Sequence, residues 1–121
     1  MKNQLGVYGE KCISKFLEKR GFNVIEKNYN CRYGEIDLVA EKDETLAFVE
    51  VKSRKKEHFP ISTVVIQSKQ QKIIKSAKHF VFKKQILDKI LRFDVATVVF
   101  DENRYKINYI ENAFYGNWIY E

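Results

Sequence analysis

The chain has 121 residues, of which 45% are hydrophobic and only one is proline, and its formal net charge is +6. This length predicts a single domain over residues 1–121, and this composition excludes an intrinsically disordered, collagenous or low-complexity chain. Because the N-terminus is polar and no run of about 18 apolar residues occurs, we expect a cytoplasmic protein without a membrane partner.

Positive charge is concentrated in one third of the chain. Residues 52–84 carry ten Lys or Arg side chains against one acid, Glu57, whereas the other residues carry 12 basic and 15 acidic side chains. A lysine-rich face on a single helix is usually only solvated. An imbalance over a whole third of a domain favours a polyanion such as a nucleic acid as partner.

The first part of the chain predicts a helix followed by a short strand. Apolar residues recur at helical spacing over residues 7–20, and Gly21 is placed to end this amphipathic helix. Residues 22–28 are typical of a strand, and residues 29–34 are typical of a loop.

A β-hairpin is predicted next. Residues 35–41 and residues 46–54 both have strand patterns, and the connection between them is short enough for a tight turn. The turn is expected at Asp43 and Glu44. In this register the numbers of facing residues sum to 87, which sets the partner of every residue in the hairpin.

A second helix follows a loop that contains Pro60. Residues 67–84 combine an apolar arc with a basic face, and Ser68 is the expected N-cap. The arc is formed by Ile73, Ile74, Ala77, Phe80 and Val81. We expect the apolar arc to pack on a sheet and the lysines to face outwards.

The last part of the chain predicts a second hairpin, with strands over residues 92–100 and 104–110. Arg92 and Asp94 are expected to form a structural ion pair, and an aromatic tail with Trp118 is expected to cover the sheet. The order of elements is therefore αβββαββ, which predicts an α/β fold in which helices flank a mixed β-sheet.

Three charged residues of the first hairpin share one face. Strand alternation puts Glu50 and Lys52 on the same side, and the register places Asp37 opposite Glu50. Facing carboxylates repel each other, and a divalent cation that prefers oxygen ligands, Mg²⁺ or Mn²⁺, would offset this repulsion. Lys52 could then orient or deprotonate an attacking water, or stabilise charge on a phosphate.

The same pattern also fits an ordinary amphipathic hairpin. In that interpretation Asp37 and Glu50 are solvated, and Lys52 pairs with Glu35, the residue opposite it in the register. Alternation alone favours this simpler interpretation, because such short patterns occur by chance. The two Cys and two His residues lack the spacing of zinc ligands, so no zinc site is expected.

Two segments of this hairpin resemble the PD-(D/E)xK nuclease motif as it occurs in the YraN-like family of uncharacterised proteins. They are residues 34–40, GEIDLVA, and residues 48–54, FVEVKSR. Further matches cover nearly the whole chain and keep the order and spacing of the family: Gly9, Glu10, Asn28, Arg32, residues 68–70, residues 92–95 and residues 112–114.

The resemblance implies a restriction-endonuclease-like fold close to that of Holliday-junction resolvases. Their site combines a helix Glu, an Asp, the ExK pair and a residue of the following helix. Carried over by position, the implied catalytic residues are Glu10, Asp37, Glu50 and Lys52. The implied metal ligands are Asp37, Glu50 and Val51. Together with the charge pattern, the resemblance predicts nucleic-acid contacts at Lys52, Arg54, Lys55, Lys69, Gln70 and Lys72.

The leading hypothesis is therefore a metal-dependent endonuclease that hydrolyses phosphodiester bonds of structured or branched DNA. Mg²⁺ or Mn²⁺ would be its cofactor, and the resemblance to resolvases implies a homodimer. The alternative is a non-catalytic nucleic-acid-binding module on the same fold that acts through a partner protein, because a fold does not imply a function. Binding to an anionic lipid surface is a weaker third hypothesis, since the apolar arc of the second helix is needed for the core.

Overall fold

The structure is a computed structural model that describes residues 3–58 and 62–115, so the predicted roles of Pro60 and Trp118 lie outside the described residues. The described residues form two helices, α1 (Gln4–Lys19) and α2 (Gln67–Lys84), and five strands. The strands are β1 (Asn23–Cys31), β2 (Gly34–Lys42), β3 (Thr45–Lys55), β4 (Ile90–Asp101) and β5 (Arg104–Phe114). A short 3-10 helix at Lys56–His58 follows β3.

The strands form one mixed sheet in the order β1-β2-β3-β4-β5. β3 and β4 are parallel, and the other neighbouring pairs are antiparallel. A parallel pair needs a crossover connection, and α2 lies in the connection between β3 and β4. The order αβββαββ and the α/β, restriction-endonuclease-like fold class are confirmed.

Each helix packs on its own hydrophobic cluster of the sheet. The cluster under α1 comprises Ile13, Leu17, Leu38, Ala40, Ala47, Val49, Ala96 and Val98. The cluster under α2 comprises Tyr29, Ile36, Val39, Leu46, Phe48, Val65, Ile73, Ile74, Ala77, Phe80, Phe93, Val95 and Phe114. Successive residues of β3 alternate between the two clusters, as the period of a strand requires. The sheet is therefore covered on both faces.

The helix ends differ in detail from the predicted ones. α1 begins earlier than predicted because the Asn3 side chain caps it, accepting a hydrogen bond from the Gly6 N–H at 2.8 Å. α2 has the predicted bounds, but the prediction of Ser68 as its N-cap was wrong. Ile66 holds that position without a side-chain cap. No helix in the described part of the chain is long and apolar enough to cross a bilayer.

β1 is longer than predicted, and the loop expected over residues 29–34 is reduced to a two-residue turn. Cys31 pairs with Gly34, so β1 continues along β2 until Arg32 and Tyr33 reverse the chain. Asparagines lower the strand propensity of this segment. Backbone pairing with β2 outweighs that preference.

The predicted register of the first hairpin is confirmed. Leu38 pairs with Val49, and the pairing continues regularly to Lys42 and Thr45 around a two-residue turn. Asp43 in this turn has φ +53°, a conformation that aspartate tolerates better than most residues. The hairpin therefore presents its predicted faces to the two helices.

The buried carboxylate of Asp94 organises the second hairpin. Arg92 forms an ion pair with it, with 3.0 Å from Nη2 to Oδ2. The Tyr109 hydroxyl donates to the same oxygen at 2.5 Å, and the Asn112 N–H donates to the other oxygen at 3.1 Å. Burial and the neighbouring negative charge raise the pKa of Tyr109. A buried charge is stable only with such partners, so the predicted structural ion pair is confirmed.

A glycine allows α1 to lie close to β3. A Cβ added at Gly9 would lie 1.9 Å from Ser53 Oγ and 3.2 Å from Ser53 Cβ. We expect Gly9→Ala to destabilise the protein by about 1–3 kcal/mol through overpacking, although alanine usually stabilises a helix relative to glycine. Urea unfolding measures the change. Adding Ser53→Ala should recover part of the loss, and a Gly9→Ala variant as stable as the wild type would contradict this packing.

Candidate functional site

Asp37 lies where β2 leaves its regular pairing with β3. Leu38 belongs to the cluster under α1 and Val39 to the cluster under α2, but Ile36 also belongs to the α2 cluster. The alternation of side chains therefore breaks at Asp37. Its carboxylate accepts a hydrogen bond from the Val51 N–H at 2.8 Å. This bond fixes the carboxylate beyond the last backbone pair of the two strands.

Glu50 interacts with Asp37 at this point, and both side chains are nearly buried. The exposed fraction is 8% for Glu50 and 5% for Asp37. Burial raises the pKa of Glu50, and the negative charge of Asp37 raises it further. The Lys69 ammonium group contacts Glu50 Oε2 and opposes both effects. The register predicted that Asp37 lies opposite Glu50. The two side chains do interact, but the regular backbone pairing of β2 and β3 ends one residue earlier, at Leu38 and Val49.

Both carboxylates line one cavity of about 230 Å³, called here the carboxylate cavity. Its lining residues are Gly34, Glu35, Asp37, Glu50, Val51, Lys69, Lys72 and Ile73. The acidic side chains come from the sheet, and the lysines come from the first turns of α2. A cavity of this size has room for several waters or for a hydrated ion. Acidic oxygens and ammonium groups therefore share one opening.

The loop before α2 is tied to the first turn of the helix. The side chain of Gln70 donates to the Val65 carbonyl oxygen at 2.8 Å, and its backbone N–H donates to the Ile66 carbonyl oxygen at 3.0 Å. These bonds hold the turn that carries Lys69. A nucleic-acid contact of Gln70 stays a prediction, because its side chain is engaged within the protein.

Lys52 lies close enough to Glu50 for their charges to interact, but its ammonium group is bound elsewhere. It donates to the carbonyl oxygens of Ser62, at 2.8 Å, and Val64, at 2.7 Å. Burial lowers the pKa of Lys52, whereas the Glu50 charge raises it. Lys52 does not belong to the described residues that line the carboxylate cavity. Lys52 therefore anchors the segment before α2, and its catalytic role stays a prediction.

The remaining predicted basic residues divide between two clefts. Lys72 lines the carboxylate cavity together with Lys69. Arg54 and Lys55 line a second cleft of about 560 Å³ between the start of α1 and the end of β3, which also includes His58. The predicted cationic surface therefore has two parts.

Glu10 is buried in α1, with an exposed fraction of 6%. Its neighbour Gly9 lies against Val51 and Ser53, so this part of α1 is beside the segment of β3 that carries Glu50. Within the described chain, however, Glu10 is not a lining residue of the carboxylate cavity. Its catalytic role stays a prediction.

The carboxylate pair is the candidate donor set for an ion. Across residues 3–58 and 62–115, no group of three or more His, Cys, Asp or Glu side chains could hold a metal ion. Mg²⁺ is usually held by only one or two carboxylates, with water and substrate oxygens completing its shell. Val51, the third predicted ligand, lines the cavity and uses its N–H to hold Asp37.

Two features of the site have no counterpart in the sequence predictions. Gly34 has φ +152°, and a Cβ added there would lie 3.4 Å from Ser76 Oγ and 3.5 Å from Lys72 Cβ. A glycine directly after a turn is the local signal for this close approach to α2. The hydrogen bond from Val51 to Asp37 has no local signal, because it depends on a strand irregularity.

Comparison with known proteins relates this chain to one family. The model of the "Uncharacterised protein family UPF0102" matches residues 9–98. The chain is 44% identical over 114 residues to a UPF0102 protein of Clostridium perfringens, covering 91% of this chain and 93% of the relative. It is 40% identical over 115 residues to one of Alkaliphilus metalliredigens, covering 94% and 100%. With one of Geobacter metallireducens it shares 40% identity over 111 residues, covering 91% of each.

The charge of Glu50 costs stability at neutral pH, because the folded state raises its pKa. The cost is absent below the pKa of the unfolded chain and appears as the pH rises through the folded pKa. We therefore expect Glu50→Gln to raise the melting temperature at pH 7.5 without divalent ions. The difference should vanish below about pH 3.5, where Glu50 is mostly protonated in both states.

Thermal denaturation across this pH range measures the effect. Glu44→Gln, in the exposed β2–β3 turn, is the matched control and should melt like the wild type at each pH. A Glu50→Gln variant that melts below the wild type at pH 7.5 would show that the contact with Lys69 outweighs the cost of burial.

Proposed function

We propose a function from the premise that the chain belongs to the uncharacterised protein family UPF0102, the YraN family whose motifs it carries. The proposed function is a metal-dependent endonuclease that hydrolyses phosphodiester bonds of structured or branched DNA. One observation carries it: two buried carboxylates and two lysines of α2 line one cavity. A metal-dependent phosphodiesterase combines acidic oxygens that hold an ion with cations that hold a phosphate.

The donor set fits Mg²⁺ or Mn²⁺. Asp37 and Glu50 supply the hard oxygen atoms that these ions prefer, and the cavity leaves room for water and phosphate. A divalent charge would also offset the repulsion between the two carboxylates. When bound, the ion lowers the pKa of its water and neutralises charge on the phosphate. Lys69, which contacts Glu50, would then share this carboxylate or turn to the phosphate.

The basic residues would hold the DNA backbone. Lys69 and Lys72 would bind phosphates at the carboxylate cavity, and Arg54 and Lys55 would extend the cationic surface into the second cleft. Lys52, whose charge acts on Glu50, would stabilise charge that develops on the phosphate if its ammonium group left the carbonyl oxygens of Ser62 and Val64. The resemblance to Holliday-junction resolvases favours branched or otherwise structured DNA over linear duplexes.

A non-catalytic nucleic-acid-binding module is the second candidate, and the lysine contacts favour it. Lys69 already supplies a positive charge to Glu50, and the ammonium group of Lys52 is already bound by two carbonyl oxygens. Carboxylates that lysines neutralise can be stable without an ion. Such a protein would bind DNA through the same cationic surface and act through a partner protein.

A cleavage assay separates the two functions. We expect the wild type to cleave labelled flap or four-way-junction DNA with Mg²⁺ or Mn²⁺. Glu50→Ala should reduce the rate roughly 100-fold or more, because it removes a carboxylate that holds the ion. Glu44→Ala, which removes an exposed acid from the β2–β3 turn, should cleave like the wild type. Single-stranded and linear duplex DNA in the same set define the substrate class.

If no cleavage is seen, DNA binding measured at several salt concentrations shows whether the protein still binds DNA. The affinity for DNA should fall steeply with salt, with a log-log slope of about −0.9 for each phosphate that is neutralised. Salt-sensitive binding by the wild type without cleavage would replace the nuclease by the binding module. Equal cleavage by the wild type and Glu50→Ala would contradict the carboxylate site. A DNA affinity that does not change with salt concentration would contradict the cationic surface.

A further inference from the structure

The turn between β1 and β2 lies against α2 beside the carboxylate cavity. Gly34 lines this cavity and approaches Lys72 and Ser76 of α2 closely. The ring of the preceding residue, Tyr33, meets the His79 ring edge-on, with 6.2 Å between the centroids. Along the helix, His79 lies about 10 Å from Lys72. An aromatic side chain therefore stands near the place where a phosphate would be held.

The Tyr33 ring lies against a neighbouring ring that is itself held in place. The Tyr29 hydroxyl lies 2.5 Å from His79 Nδ1, and the Tyr29 ring packs edge-on against Phe80 with 5.1 Å between the centroids. Tyr29 is buried and holds the His79 ring in place, and the Tyr33 ring packs against that ring. A ring that is already ordered loses little conformational entropy when a ligand stacks on it.

Arg32 adds a second planar group to this surface. Its guanidinium carbon lies 4.9 Å from the centroid of the Tyr33 ring, and Nη2 donates to the Tyr33 hydroxyl at 2.7 Å. Arg32 is exposed, and Tyr33 is half-buried. Aromatic rings and guanidinium planes are the groups on which proteins stack nucleobases.

The neighbouring charges indicate the kind of ligand. Lys69 and Lys72 offer cations for backbone phosphates, while Arg32, Tyr33 and His79 offer a stacking surface. The bases of an intact duplex are stacked on one another and do not reach such a surface, whereas single-stranded or extruded bases do. Tyr33 directly precedes Gly34, which approaches Lys72 closely, so the stacking surface lies within a few nucleotides of a phosphate held by Lys72.

We propose that Arg32, Tyr33 and His79 form a binding site for an unpaired nucleobase. Its place in the reaction rests on the proposed function, because it assumes that the phosphate to be cleaved lies in the carboxylate cavity. The substrate class is then DNA with unpaired nucleotides close to the cleaved bond, as in flaps, bubbles and borders between single and double strands. Fully paired duplexes are poor substrates.

Binding measured in EDTA tests the base site without cleavage. The probe is a single-stranded oligonucleotide carrying 2-aminopurine, whose fluorescence is quenched when the base stacks. Tyr33→Leu should weaken its binding roughly five-fold or more and abolish the quenching, because the aromatic face is lost. Tyr33→Phe keeps the ring and should bind within about two-fold of the wild type. Tyr105→Leu, which removes an exposed ring from the opposite edge strand, should change neither quantity.

A duplex of the same sequence serves as the second ligand, and Tyr33→Leu should leave its affinity unchanged. The base site would be refuted if Tyr33→Leu bound the single strand as tightly as the wild type does. It would also be refuted if the variant lost affinity equally for the single strand and the duplex. If the base site is refuted but the wild type cleaves DNA, the proposed nuclease function stands without the base site. If stacking depends on Tyr33 but neither Mg²⁺ nor Mn²⁺ supports cleavage, the base site stands without the nuclease function. If Tyr33→Leu fails to fold, Arg32→Gln should weaken single-strand binding more than duplex binding, and equal effects would refute the proposal.

Discussion

Two carboxylates held beside each other away from water need positive charge, and much of the structure follows from this requirement. Asp37 and Glu50 meet where β2 and β3 end their regular pairing, and there the Val51 N–H donates to the Asp37 carboxylate. Lys69 reaches Glu50 from α2 and supplies one positive charge. The arrangement keeps the pKa of Glu50 raised. Such a residual cost is typical of sites that are built for a ligand rather than for stability.

The topology of the sheet determines which charges meet. Because β3 and β4 are parallel, the chain must cross over between them. The helix α2 lies in this crossover and begins beside the part of the first hairpin that carries Asp37 and Glu50. Lys52 strengthens this approach by binding the carbonyl oxygens of Ser62 and Val64. The most basic segment of the chain thus becomes one wall of the cavity whose other wall carries the acids. The crossover therefore brings the phosphate-binding lysines of the proposed site against its metal-binding carboxylates.

The elements of the fold could be predicted from the sequence, whereas the site could be predicted only in part. An element that buries one face has apolar residues at regular intervals along the sequence. Both helices and the register around Asp43 were predicted correctly for this reason. The strand break at Asp37 and the contacts of Lys52 depend on segments that are distant in sequence, so no local pattern indicates them. The role of Glu10 came from the family resemblance, and the geometry does not test it.

Isothermal titration of Mn²⁺ into the metal-free protein at pH 7.5 tests most directly whether the carboxylate pair is a metal site. We expect a single ion to bind per wild-type chain. Asp37→Asn should lose this binding, although its amide oxygen can still accept the Val51 N–H. Lys69→Ala should bind the ion more tightly, because it removes the competing ammonium group from Glu50. Equal heats for the wild type and Asp37→Asn, or weaker binding by Lys69→Ala, would contradict a metal site at this pair.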